Sequence, residues 1–228
     1  MQTPVVPEER VLFDIAVGTR EGCRQVYTGD PEDVVTPLAA AAFQLQAAWV
    51  GARMAAMAND PQRTPVLEAV ATDYGGVSVA ALNLSVRCSV TAVDHCGEAL
   101  ARLTGLSTKD TWLSTWFDAT KVQPKCRPAA LTDQRLAPLA TAYLARVSDQ
   151  QWRDTEELRH EATHRGYRRG IYGTTRQPPE PRPLAHPQQL DIDHKSWGMQ
   201  PLDQLTERVT RYAEATFREF CEGLTALV

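Results

Sequence analysis

Between Val79 and Leu103 the apolar residues fall at Val79, Leu82, Val86, Val90, Val93, Cys96, Leu100 and Leu103, and every step is three or four residues. A half-buried strand would need steps of two. This spacing instead draws one stripe along a helix of about seven turns, ending at Gly105. A stripe of that length has to be covered by other elements. The same spacing returns at the C-terminus, where Pro201-Leu202-Asp203 opens a helix carrying Leu205, Val209, Tyr212, Ala213, Phe217, Phe220, Leu224 and Leu227.

Further helices follow from caps and periodicity. Thr36-Pro37 reads as an N-cap and first-turn proline for Leu38, Ala41, Ala42, Leu45, Trp49 and Ala52, with an end near Asn59-Asp60-Pro61. Pro65 to Tyr74 reads as a short helix stopped by Gly75-Gly76. Thr132-Asp133 starts another, with a bend expected at Pro138. Ser148 and Gln151 match a capping box, so a helix bearing Trp152, Thr155, Leu158, Ala162 and Thr163 should begin there and close at Gly166. Residues 8 to 28 suggest a helix that Gly18 and Gly22 weaken. Trp112, Trp116 and Phe117 form an aromatic segment, and Val122 to Pro128 reads as a loop. Five prolines between Thr174 and Gln189 leave an extended loop there. No sheet of more than two short strands is expected. The fold class is therefore all-α: an up-and-down helical bundle with a C-terminal amphipathic helix packed back on it. Residues 1–35 read as a helical N-terminal extension, and 36–228 as the bundle, with the proline-rich loop at 174–190.

Composition narrows the function classes. The 228 residues are 43% hydrophobic and 23% charged, with a formal net charge of −4. That balance argues against a broadly cationic nucleic-acid binder, though not against a local basic patch. Arg159, Arg165, Arg168, Arg169, Arg176 and Arg182 supply one along the chain. The five cysteines are widely spaced, with no metal-finger pattern, and the N-terminus lacks a basic leader followed by an apolar run. A cytoplasmic protein with reduced thiols is expected. Val34 to Ala52 carries no charge and approaches the length of a membrane span. Its alanines, Gln44 and Gln46 read better as a buried core helix, so no membrane partner is expected.

The stretch Leu158 to Gly166 carries the chemistry. His160-Glu161-Ala162-Thr163-His164 matches H-E-x-x-H, in which two histidines one turn apart bind zinc and the glutamate acts as general base. Against a zinc-dependent hydrolase stand Arg159 and Arg165, cations beside the would-be metal, the stop at Gly166 and the absence of a third ligand at a familiar spacing. Asp94 and His95 on the long helix would be further ligands only if the bundle brought them to His160 and His164. No metal or other cofactor is expected; His160 and His164 are the ligands if one binds.

Arg159 through His164 also resembles the R-x(4–6)-H signature of the HEPN superfamily, small helical bundles that include ribonucleases of toxin–antitoxin and antiviral systems. The setting fits that resemblance: a helical chain, the motif at the end of a late helix, and an amphipathic helix after it. The family places Asn or Asp most often after the arginine, whereas this chain has His160. The resemblance implies a metal-independent endoribonuclease in which Arg–His pairs face each other across a homodimer. His164 would be the general acid or base, Arg159 the phosphate clamp and His160 a positioning group. Arg165, Arg168 and Arg169 would add phosphate contacts. RNA and a cognate antitoxin-like protein are the partners this implies. The chemistry suits those residue types. Histidine moves protons near neutrality, and a guanidinium offers a planar two-pronged cation to a phosphorane.

Two plainer readings use the same residues. A silent HEPN-like bundle would be a binding or dimerisation module. Arg159 could also simply pair with Glu156 or Glu157 on a solvated face, with His164 near a helix C-terminus that welcomes positive charge.

Overall fold

A computed structural model of the chain describes residues 9–58, 74–104, 133–160, 171–173, 190–194 and 198–228. These residues form the helices α1 (Glu9–Gly18), α2 (Arg20–Val26), α3 (Glu32–Ala58), α4 (Tyr74–Leu103), α5 (Ala137–Ser148), α6 (Gln150–His160) and α7 (Leu202–Thr225). Three strands, β1 (Ile171–Gly173), β2 (Leu190–His194) and β3 (Gly198–Pro201), lie between α6 and α7 in sequence. The helices dominate, and the fold is an all-α bundle.

The apolar stripes are buried as their spacing requires. On α4, Leu82, Val86, Val90, Val93, Cys96, Leu100 and Leu103 are all buried, and on α7 so are Leu205, Val209, Ala213, Phe217, Phe220 and Leu224. The Val79 side chain lies outside the described ones. Chain contacts divide the protein into two compact units. The first comprises Met1–Val6, Ala47–Cys88 and Asp154–Arg211; the second comprises Pro7–Gln46, Ser89–Arg153 and Tyr212–Val228. The sequence suggested a different division, an extension over 1–35 ahead of a single bundle. Residues 1–35 hold the helices α1 and α2, which place Leu12, Ala16 and Cys23 in the same core as Leu38 and Leu45 of α3.

In the second unit, α7 packs back on α2 and α5. A Cβ on Gly22 would overlap the backbone carbonyl of Leu224, so this glycine serves close backbone approach and does not break the helix. Tyr143 of α5 stands edge-on to Phe220 at 5.8 Å and donates from its hydroxyl to the Val93 carbonyl at 3.2 Å. Trp152 stacks on Tyr212 at 6.0 Å, and the Tyr212 hydroxyl donates to the Arg146 carbonyl at 2.7 Å. Arg146 also pairs with Glu219, which holds the Glu219 carboxyl below its usual range.

Helix α3 starts at Glu32, and the start expected at Thr36-Pro37 is corrected. Asp30 and Pro31 supply the same signal six residues earlier. Asp30 Oδ1 accepts the Glu32 N–H at 3.0 Å, as an N-cap does, and Pro31 follows it. Pro37 then falls inside the helix, where its missing N–H leaves the Asp33 carbonyl without its helical donor. Arg102 of α4 fills the gap, donating to the Asp33 oxygen at 2.9 Å and to Glu98 Oε1 at 2.5 Å. Asp33 is exposed, so this bond adds about 0.5–1.5 kcal/mol and is not the rescue of a buried orphan.

Other boundaries shift for similar local reasons. Helix α4 begins at Tyr74 and runs through Gly75-Gly76, which the sequence read as a stop. Pro138 sits in the first turn of α5, where a proline starts a helix and does not bend it. At α6 the cap is Asp149, whose Oδ1 accepts the Gln151 N–H at 2.8 Å; Ser148 is the last residue of α5.

In the first unit, α3 and α4 approach closely. Ser85 Oγ donates to the Ala48 carbonyl at 3.0 Å, and a Cβ on Gly51 would sit 2.7 Å from the Ser85 nitrogen and 2.8 Å from the Ala81 oxygen. The core of this unit joins Ala55, Leu82, Val86, Leu158, Leu205 and Val209. The strands form an antiparallel sheet in the order β1-β2-β3, with Ile171 opposite Ile192 and Ile192 opposite Gln200. Three paired strands exceed the two short ones expected. In Leu190-Asp191-Ile192-Asp193 the alternation of apolar and acidic residues was present, but over too few residues to register. Helix α3 is long and apolar enough to cross a membrane by length and composition, and 56% of its most apolar window is buried inside the protein. Trp112, Trp116, Phe117 and the proline-rich segment from Thr174 to Gln189 lie outside the described residues.

Candidate active site

Helix α6 positions the beginning of the motif. Capped by Asp149, it buries Trp152, Thr155 and Leu158, which recur at three, while Arg153, Glu157 and His160 are exposed. Arg159 is half-buried beside Leu158. Both Arg159 and His160 lie in the last described turn of α6. The structure thus places two of the expected site residues on α6. His164, Arg165, Arg168 and Arg169 lie outside the described residues, as do Glu161 and the stop expected at Gly166.

One feature of α6 escaped the sequence. Asp154 is only 3% exposed, and a carboxylate so buried is uncommon. It belongs to the first unit, together with Thr155, Ser85, Thr206 and Thr210, all buried hydroxyl residues. The Thr206 hydroxyl donates to the Leu202 carbonyl of its own helix at 2.9 Å, so it is a structural hydroxyl. Nothing local distinguishes Asp154 from an exposed helical aspartate, so only the packing of α6 identifies it. Glu157, one of two partners expected for Arg159, is exposed, and Glu156 is half-buried.

Charge is divided unevenly between the units. Counted over the sequence, the first unit holds twelve Lys and Arg against twelve Asp and Glu, and the second holds twelve against sixteen. The net charge of −4 therefore belongs to the second unit. The arginine-rich stretch from Arg159 to Arg182 lies wholly in the neutral first unit.

Among the described residues no three His, Cys, Asp or Glu side chains come together as a metal site. His160 is exposed, and His95 lies in the second unit with Nδ1 3.3 Å from Glu98 Oε2. Cys23, Cys88, Cys96 and Cys221 are free thiols. Burial pushes all four up in pKa, and thiols so raised are poor nucleophiles and poor ligands. Comparison of the chain with family models, with curated proteins and with solved structures finds no match.

Proposed function

We propose that the chain is a helical-bundle endoribonuclease of the HEPN-like kind, which cuts RNA without a metal and acts as a homodimer. The observation that carries this reading is the end of α6. There Arg159 is half-buried and His160 exposed, on a helix whose other side is held by Trp152, Thr155 and Leu158. A partly buried arginine side chain has less freedom to lose when it grips a phosphate than a fully exposed one. The concentration of arginine after it, in a unit without net negative charge, supports an anionic ligand.

In this mechanism His164 takes the proton of the ribose 2′-OH, and the 2′-oxygen attacks phosphorus. The 5′-oxygen leaves and takes a proton from a protonated histidine, His164 of either copy. Arg159 holds the phosphorane oxygens, His160 orients the reacting phosphate, and Arg165, Arg168 and Arg169 hold neighbouring phosphates. A cognate antitoxin-like protein would bind over this cleft. The histidine at 160, where such domains carry Asn or Asp most often, favours a second reading: a module that binds RNA or a partner and cuts nothing.

The products test this directly. RNA fragments should end in a 2′,3′-cyclic phosphate and begin with a 5′-hydroxyl, and a 2′-deoxy substitution at the scissile nucleotide should abolish the cut there. Cleavage of the deoxy position at the normal rate would contradict 2′-OH attack. Tight binding of RNA with no fragments would favour the binding module.

A further inference from the structure

Helix α3 carries a second apolar stripe, exposed at Phe43 and Val50 and, at Met54, packed against the core of the first unit. Ala40, Phe43, Ala47, Val50, Met54 and Met57 follow one another at alternating steps of three and four residues, so Ala40, Ala47 and Met54 recur every seven, as do Phe43, Val50 and Met57. That is the a/d pattern of a helix that packs along another helix. Phe43 is 69% exposed and Val50 46%, and the other four positions are half-buried. All six lie on one uninterrupted helix, opposite Leu38, Leu45, Ala48 and Ala52, which are buried. From Val34 to Ala58 the single charge is Arg53, and the positions beside the stripe are Ala39, Gln44, Gln46, Gly51 and Arg53. An almost neutral border does not select an acidic or basic partner, and it does not repel a copy of itself.

We propose that this stripe is the surface on which two copies of the chain dimerise, with the two α3 helices packed antiparallel about a two-fold axis between Ala48 and Trp49. Side-chain size identifies the second copy as the occupant. Antiparallel pairing about that midpoint sets Ala40 opposite Met57, Phe43 opposite Met54 and Ala47 opposite Val50, so small residues meet larger ones at two of the three levels. Parallel pairing would set Phe43 on Phe43 and Ala47 on Ala47, crowding one level and emptying the next. A two-fold interface uses the same patch twice, as this stripe permits. The proposal deepens the homodimer of the proposed function by naming its surface; because the stripe uses none of the residues of the motif, a failure of the cleavage tests leaves it standing.

The test is the mass of the full chain at micromolar concentration, by light scattering, for the wild type and for Phe43→Glu/Val50→Glu. The wild type should have twice the mass of one 25.2 kDa chain. Both substituted positions are exposed in the single chain, so the variant should keep its helical circular dichroism while its dimer dissociates about a hundredfold more readily. Cross-linking gives a measurement that does not depend on that variant. Val50→Cys should link to its mate with a short bismaleimide above the wild-type background. Ala40→Cys should not, because its mate lies about 25 Å away along the antiparallel pair. A monomeric wild type would overturn the proposal. So would a dimer that the double substitution leaves intact, which would place the contact on another surface such as α6. Efficient linking at Ala40→Cys would overturn the antiparallel arrangement. A monomer that co-sediments with phosphatidylglycerol vesicles would assign the stripe to a bilayer instead.

Discussion

Replacing Arg159 or His164 with alanine is expected to slow RNA cleavage by about two to four orders of magnitude in each case, with helical content unchanged. The loss should appear in kcat, because both groups are assigned to charge and proton movement that develop in the transition state. Expressed as free energy it is roughly 3–5 kcal/mol of transition-state stabilisation for each residue. Alanine is the best helix former, and Arg159 sits in the last turn of α6, so the backbone has no reason to change. Combining the two substitutions should cost little more than either alone, since each removes a part of one unit. Arg159→Lys keeps the charge and loses the fork, and should fall between wild type and alanine. A loss below tenfold for either alanine variant would remove that residue from the chemistry.

Trp152→Ala should destabilise the fold by about 3–5 kcal/mol, the usual cost of deleting a large buried aromatic side chain. Trp152 is 1% exposed, belongs to the core of the second unit and stacks on Tyr212 at 18° between ring planes. In a chain of this length that shift should lower Tm by roughly 10 °C. Trp152→Phe makes the comparison informative. The indole N–H is buried and has no hydrogen-bond partner among the described residues. Phenylalanine restores much of the ring and removes that unpaired donor, so it should cost far less than alanine. Urea unfolding followed by circular dichroism would measure both variants. An alanine variant within about 1 kcal/mol of wild type would mean that this core is not packed as described.

The stripes of α4 and α7 were legible because helical burial writes itself into the sequence at every third and fourth position; each such residue whose side chain is described is buried except Tyr212 and Leu227, which are half-buried. The boundaries were less so. Asp30-Pro31 and Thr36-Pro37 carry the same local signal, which does not rank them; the helix takes the first, where Asp30 caps the Glu32 N–H, and Arg102 from far along the chain donates to the Asp33 carbonyl that Pro37 leaves without a donor. Gly22 looked like a weakness in a helix, and its reason is the carbonyl of Leu224, nearly the whole chain away. Asp149 and Ser148 are both good caps, and their order along the chain does not rank them. The small sheet depends on pairing between strands of three, five and four residues, too short for periodicity to mark. Of the candidate site, the residue types and their spacing were legible, and so was the late helix that begins the motif. The burial of Asp154 was not, because it depends on what α6 packs against.

The most direct measurement is RNA cleavage by the wild type and by His160→Asn, side by side, in EDTA and then with added zinc. A metal-free Arg–His site predicts fragments from both proteins in EDTA, with His160→Asn as active as the wild type or more so. A zinc hydrolase using His160 and His164 predicts the reverse: no cleavage in EDTA, recovery with zinc, and none from His160→Asn under either condition. Cleavage that depends on zinc and is lost in His160→Asn would contradict the proposed function outright.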